Sequence, residues 1–193
     1  MREYKDISYI YYTMDNYSYT GNVNILWENP NAKVIIGNFC SIGDNLKVYL
    51  GNGSGHDIEF VSTYPFGHIN TDVFPNVINS SRNTNGNIII NNDVWIGENV
   101  TLMSGITIGN GAVIAANSHV VKNVEAYSVV GGNPAKHIKY RFTKEQIEAL
   151  LKIEWWNWTT EKINKYTHLL SSYNIDDFIV ASKLEDMIDQ LSS

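Results

Sequence analysis

Residues 90–125 read INNDVW, IGENVT, LMSGIT, IGNGAV, IAANSH, VVKNVE. An aliphatic residue returns every six positions, at Ile90, Ile96, Leu102, Ile108, Ile114 and Val120, and four positions after each stands a small or β-branched one: Val94, Val100, Ile106, Ala112, Ser118, Val124. An earlier stretch, IGNFCS then IGDNLK, repeats the pattern through Ile36, Cys40, Ile42 and Leu46. A period of six drifts around a helix and would place glycine in its interior, while an antiparallel strand wants alternation over a longer run before its turn. A triangular coil accommodates both features. Each hexad makes one short flat face and three hexads make one turn. The recurring aliphatic residue points inward, and Gly or Asn carries the corner, where positive φ is needed. Stacked coils then pair as parallel strands around a column of Ile and Val, so the stretch predicts a parallel β-helix.

Outside the repeat, composition sets the class. The chain has 193 residues, room for one domain or one domain and a small appendage. Apolar residues are 44%, charged residues 18% and prolines only 4, a globular balance rather than a disordered or coiled-coil one. A net charge of −6 argues against sequence-independent nucleic-acid binding, which needs a basic surplus. The single cysteine, Cys40, can form neither an internal disulfide nor a thiolate cage. The N-terminal MREYKDISYIYYTMDNYSY lacks a long apolar run and a cleavage signal, and no later segment is long enough to span a bilayer; the expectation is a soluble cytoplasmic protein.

The coil is interrupted from about residue 50 to 86 by a stretch rich in Asn, Gly, Ser and aromatics. Long excursions from a regular scaffold are usually functional or disordered, and Phe60, Tyr64, Phe66 and Phe74 argue for order. The expected organisation is a β-helix domain over 1–140 containing this excursion, then a helical extension over 141–193. Thr143-Lys-Glu-Gln146 has capping-box spacing ahead of Ile147, Leu150 and Leu151. WWNWTT at 155–160 ends that element. A second helix is expected through Ile163, Tyr166, Leu169 and Leu170, and a third through Leu184, Met187, Ile188 and Leu191.

A prism packed with side chains has no internal cavity, so a site must lie on its surface or between copies. Of the five histidines, His119 falls on a coil corner and reads as solvated, and His68 shares the excursion with His56. His56 is the candidate base. It stands in the excursion between Gly55 and Asp57, ahead of the aromatic run, and an imidazole suits removal of a hydroxyl proton near neutrality. Cys40 occupies an inward hexad position, where core filler is the better reading. No cluster has zinc-ligand spacing, and neither a P-loop nor a GxGxxG motif is present.

The hexad run, GNGSGHDIEFVSTYPF, DVWIG, GGNPAK and an RF followed by a WW-containing helix resemble the xenobiotic acetyltransferase branch of the hexapeptide-repeat acyltransferases. The resemblance runs from about Tyr17 to Phe178 with the motifs in order. It implies a left-handed β-helix, and a homotrimer binding acetyl-CoA, without a metal, between adjacent subunits. His56 matches the catalytic histidine, acting as general base in a direct transfer. Glu98, Ala116, Val121, Lys122, Lys136 and Lys139 match the coenzyme-binding positions, the lysines as partners of the phosphates. Tyr17 and Tyr19 match acceptor-site residues, and Trp95 of DVWIG matches a position near ligand or subunit contact. Asn52-Gly53-Ser54-Gly55 precedes His56 in place of the usual two glycines and Asn, and Asn91 stands where Gly is common. The stretch after Phe66 is polar and Asn-rich, which points to a sugar or polysaccharide hydroxyl as acceptor. An antibiotic such as streptogramin A or chloramphenicol is the alternative acceptor, and a non-catalytic β-helix scaffold the alternative role.

Overall fold

The computed structural model describes residues 11–51, 56, 59–76 and 84–191. They divide into two compact units, the first ending at Ile138 and the second beginning at Lys139.

In the first unit the hexads form the faces of a triangular coil. The first turn is β1 (Tyr12–Met14), β2 (Tyr19–Thr20) and β3 (Val23–Leu26); the second is β4 (Val34–Ile36), β5 (Ser41–Ile42) and β6 (Leu46–Tyr49). The third is β7 (Ile88–Ile90), β8 (Trp95–Ile96) and β9 (Thr101–Met103), and the fourth is β10 (Thr107–Ile108), β11 (Val113–Ile114) and β12 (His119–Val120). Corresponding faces stack into three sheets, ordered β1-β4-β7-β10, β2-β5-β8-β11 and β3-β6-β9-β12, with the described pairs parallel. A fifth turn opens at Val124, bridged to Ile108, and continues the second sheet with β13 (Ser128–Gly132) and β14 (Ala135–Tyr140). GGNPAKHIKYRF therefore carries strand before any helix begins.

Every inward position read from the repeat is buried, from Ile36 and Cys40 to Val120 and Val124. Each fully buried aliphatic side chain contributes roughly 1.5–3 kcal/mol, so this column is the main source of the prism's stability. The corners use two kinds of residue. Asn45, Asn99 and Asn117 take left-handed φ of 60°, 57° and 61° at one corner, and Gly105 takes 77° at another, as the turn requires. The glycines that follow the inward isoleucines are not left-handed. A Cβ on Gly97 would lie 2.6 Å from the Ala116 nitrogen, and one on Gly43 2.9 Å from that of Glu98. These glycines serve close stacking of backbone on backbone rather than positive φ, which corrects the conformational role expected for them.

Paired residues of β4 and β7 lie 54 residues apart, whereas those of β7 and β10 lie 18 apart; the difference, 36, is the length of the excursion. The register resumes as if nothing had intervened.

In the second unit, α1 (Lys144–Ile153) starts with the expected box: Thr143 accepts from the Gln146 N–H while the Gln146 side chain accepts from the Thr143 N–H. Glu154, left-handed at φ 45°, stops it ahead of a short 3-10 turn at Trp155–Asn157. Then follow α2 (Thr160–Leu170) and α3 (Ile175–Leu191). Tyr166 of α2 is buried as expected, with Trp158 and Phe178 packed on its ring. The buried side of α3 is Phe178, Ile179 and Ser182, whereas Leu184, Met187 and Ile188 are exposed. The third helix is present as expected, and its apolar line lies on the exposed side, while Phe178 packs on Trp158 and Tyr166.

Candidate active site

His56 is exposed, and its Nδ1 lies 2.8 Å from the carbonyl oxygen of Thr63. A carbonyl only accepts, so the proton of this bond sits on Nδ1, and in the neutral ring the lone pair falls on Nε2, the nitrogen a base would use. The residues flanking His56, Gly55 and Asp57, lie outside the described residues, as do Asn52, Gly53 and Ser54. Thr63 belongs to a braced turn. The Tyr64 N–H donates to Ser62 Oγ at 3.1 Å, the Phe66 N–H to the Tyr64 carbonyl at 2.8 Å, and Gly67 turns the chain at φ 78°. The rings of Tyr64, Phe66 and Phe74 pack edge to face, with centroids 4.7 to 6.4 Å apart. Asn70 Nδ2 donates to the Tyr64 hydroxyl at 2.9 Å. Periodicity gave no sign of this arrangement; the spacing of the aromatics was its only trace.

The positions matched to coenzyme binding are spread over successive elements. Glu98 and Ala116 stand at the same corner of the third and fourth turns, where the Asn117 N–H donates to the Glu98 carbonyl at 2.9 Å, and both are exposed. Val121 and Lys122 leave the end of β12, and Lys136 lies on β14; all three are exposed. Lys139, on the same strand, is the first residue of the second unit. Tyr19 and Trp95, 63% and 60% exposed, share one outward column of the second sheet, with Ser41 between them in register. Tyr17, left-handed at φ 59°, stacks on Phe39 with ring centroids 4.9 Å apart at a neighbouring corner. His68 is exposed in the excursion, and His119 is half-buried on β12 beside Thr101.

Cys40 is fully buried, and its Sγ donates to the Asn91 carbonyl. Burial pushes the thiol above its ordinary range, so it is a core residue and not a nucleophile. Among the described residues no group of three His, Cys, Asp or Glu side chains could hold a metal ion, and no helix is long and apolar enough to cross a membrane.

Hexad coils of this kind define a class. Residues 87–122 match the family model "Bacterial transferase hexapeptide (six repeats)". A solved hexapeptide-repeat containing acetyltransferase of Vibrio cholerae superposes with a TM-score of 0.51 at 26% identity, over 68% of this chain and 64% of that one. Three curated relatives narrow the class. A "Probable macrolide acetyltransferase" of Lysinibacillus sphaericus is 47% identical over 78% of this chain and 84% of its own length. A chloramphenicol acetyltransferase of Klebsiella aerogenes is 46% identical over 74% of this chain and 68% of its own. A virginiamycin A acetyltransferase of Staphylococcus aureus is 40% identical over 88% and 77%. The chain belongs to the xenobiotic acetyltransferase branch of the hexapeptide-repeat acyltransferases, and it is an acetyltransferase on a left-handed parallel β-helix.

Proposed function

We propose that this chain transfers the acetyl group of acetyl-CoA to a hydroxyl of an antibiotic, by direct attack with His56 as general base. The single observation that carries the reading is the His56–Thr63 bond, which leaves Nε2 with a lone pair on an exposed ring. In the step proposed, His56 Nε2 takes the proton of the acceptor hydroxyl as its oxygen adds to the thioester carbonyl. The C–S bond then breaks, and the same proton passes to the departing sulfur. A thioester is already activated, so positioning two partners and moving one proton covers most of what catalysis requires.

Glu98, Ala116, Val121, Lys122 and Lys136 are the proposed coenzyme contacts. The small, exposed Ala116 leaves corner backbone open to an extended ligand arm, and the lysines supply point charges for phosphates. Lys139 is assigned by its motif alone. Tyr17 and Tyr19 are the proposed acceptor contacts, and a homotrimer with sites between subunits, working in the cytoplasm, completes the reading.

The acceptor shifts from the sugar suggested by the polar excursion to an antibiotic for two reasons. The three relatives bear the names of acetyltransferases of macrolides, chloramphenicol and virginiamycin A. The described part of the excursion also presents aromatic rings, with Tyr64, Phe66 and Phe74 each 38% to 45% exposed. The test is thiol release from acetyl-CoA with two acceptor panels, one of streptogramin A, chloramphenicol and macrolides, the other of mono- and oligosaccharides. Turnover confined to the saccharides would overturn the antibiotic acceptor. Absence of acetyl-CoA affinity in titration calorimetry would make the chain a scaffold.

A further inference from the structure

The peptide unit joining Thr63 to Tyr64 is held at both of its polar ends. Its carbonyl oxygen accepts from His56 Nδ1 at 2.8 Å, and its N–H donates to Ser62 Oγ at 3.1 Å. The ring attached to that unit is held as well. Tyr64 packs edge to face on Phe66, with centroids 4.7 Å apart, and on Phe74, and its hydroxyl accepts from Asn70 Nδ2 at 2.9 Å. Asn70 acts a second time through its backbone carbonyl, which accepts the N–H groups of Val73 and Phe74, both at 2.9 Å. The chain of contacts therefore closes on itself: Tyr64 to Asn70, Asn70 to Phe74, and Phe74 back to the Tyr64 ring.

An exposed loop in water has no intrinsic reason to keep one carbonyl aimed at one imidazole. Here Thr63, Tyr64 and Asn70 are all exposed, while Pro65 and Gly67 between them are buried, so packing fixes the turn at those two points and the braces within the loop set the aim of the Thr63 carbonyl. We infer that Ser62, Tyr64 and Asn70 are positioning residues that hold the Thr63 carbonyl against His56 and so fix the tautomer in which Nε2 is the base. Ser62 sets the tilt of the peptide plane, and the Asn70–Tyr64 bond sets its place in the turn. A fixed tautomer matters because a ring protonated on Nε2 presents a donor to the acceptor hydroxyl, where the reaction needs a lone pair. This inference rests on the reading of His56 as general base.

Two measurements test it, and they fail separately. The first needs no substrate: long-range ¹H–¹⁵N spectra of the full chain labelled in histidine, recorded at alkaline pH, where imidazoles are neutral. His56 should carry its proton on Nδ1 in the parent, and Ser62→Ala, Tyr64→Phe and Asn70→Ala should each move the ring toward the Nε2–H form. Tyr64→Phe keeps the ring packing and removes only the hydroxyl, so it remains informative should Asn70→Ala loosen the turn. Unchanged tautomers in all three variants overturn the inference whatever the kinetics show.

The second is thiol release from acetyl-CoA with chloramphenicol, or with whichever antibiotic of the panel turns over. Each variant should lose about tenfold in kcat, a fraction of the 10²–10⁴ that a general base supplies, with KM for acetyl-CoA unchanged. In a His56→Ala background, the same substitutions should cost nothing further, because they act through the ring. Equal losses with and without His56 would show a purely structural role and overturn the positioning reading. A His56→Ala protein of parental activity would overturn the base reading itself, whereas an inactive one beside parental Tyr64→Phe and Asn70→Ala rates would overturn only the positioning.

Discussion

The backbone N–H of Asn38 donates to Oδ1 of Asn92, 2.8 Å away and 54 residues later in the chain. Asn92 passes the pattern on, its own N–H and Nδ2 donating to Asn110 Oδ1 at 2.9 and 3.1 Å across only 18 residues. The two steps of this ladder have the same geometry although one encloses the whole excursion. The segment that carries the proposed base, His56, is therefore a graft on a scaffold that closes beneath it.

Removing the graft should leave the scaffold. Tyr49 pairs with Met103 and Ile89 with Thr107, so deleting residues 51–86 joins Leu50 to Asn87 with the length of the native Met103–Ile106 corner. Asn87 then stands at the place of Gly105, whose φ is 77°, a conformation asparagine tolerates better than most residues. The shortened protein should show a far-ultraviolet circular dichroism spectrum of the same β type and a cooperative melt, and no thiol release from acetyl-CoA with any acceptor.

Close stacking of the coils makes Gly97 the more sensitive kind of glycine. A Cβ there meets the Ala116 nitrogen at 2.6 Å and its Cα at 2.9 Å, both backbone atoms that cannot swing aside. Gly97→Ala should destabilise the protein by about 1–3 kcal/mol, the range for overpacking a tight interior. Thermal melts should show a Tm lower by roughly 2–4 °C for each kcal/mol. At Gly86 none of the described residues lies within 4 Å of an added Cβ, so Gly86→Ala should cost mainly the strain of φ 105°.

For His56→Ala the expected loss of turnover is roughly 10²–10⁴-fold, the usual share of a general base. Acetyl-CoA affinity by calorimetry and the melting temperature should stay at parental values, since the ring is exposed and its described hydrogen bond lies within the excursion. A loss below tenfold would point to another base.

Cys40 should behave as a core atom. Burial is the main cause of its raised pKa, with the Asp93 and Asp15 carboxylates adding to it against hydrogen bonds that lower it. The folded protein should therefore resist iodoacetamide at pH 8 and react only in denaturant. The sign of the linkage follows from the same shift. An unfolded thiol releases its proton around its ordinary value of 9.0 while the folded one retains it. Stability is then fully present below that pH and declines as the pH rises through the folded value. Chemical denaturation at pH 7, 9 and 10 should show the midpoint falling above 9, and Cys40→Ala should remove this part of the decline.

The prism was legible in the chain because its period is local. A hexad states within six residues which side chain faces inward, and all six isoleucine, leucine and valine positions from Ile90 to Val120 are buried accordingly. The box at Thr143 and Gln146 was legible for the same reason, since its partners are three residues apart. Leu184, Met187 and Ile188 located the third helix but not its covered face, because an apolar spacing names a stripe on a helix and not the neighbour that covers it. The glycines after the inward isoleucines were located correctly but explained wrongly, since the backbone they admit comes from a different turn of the coil.

The order of residues alone decided the coil, its corners and the choice of His56, through periodicity and motif. It carried no statement of what the imidazole leans on. The Thr63 carbonyl, the Ser62 hydroxyl and the Asn70–Tyr64 bond emerged only once the excursion was folded. The physical reason is that a carbonyl belongs to every residue, so side-chain identity does not reveal which one will be aimed. That aim comes from the Ser62 and Asn70 hydrogen bonds on a turn whose rings pack together, partners that meet only in the folded excursion.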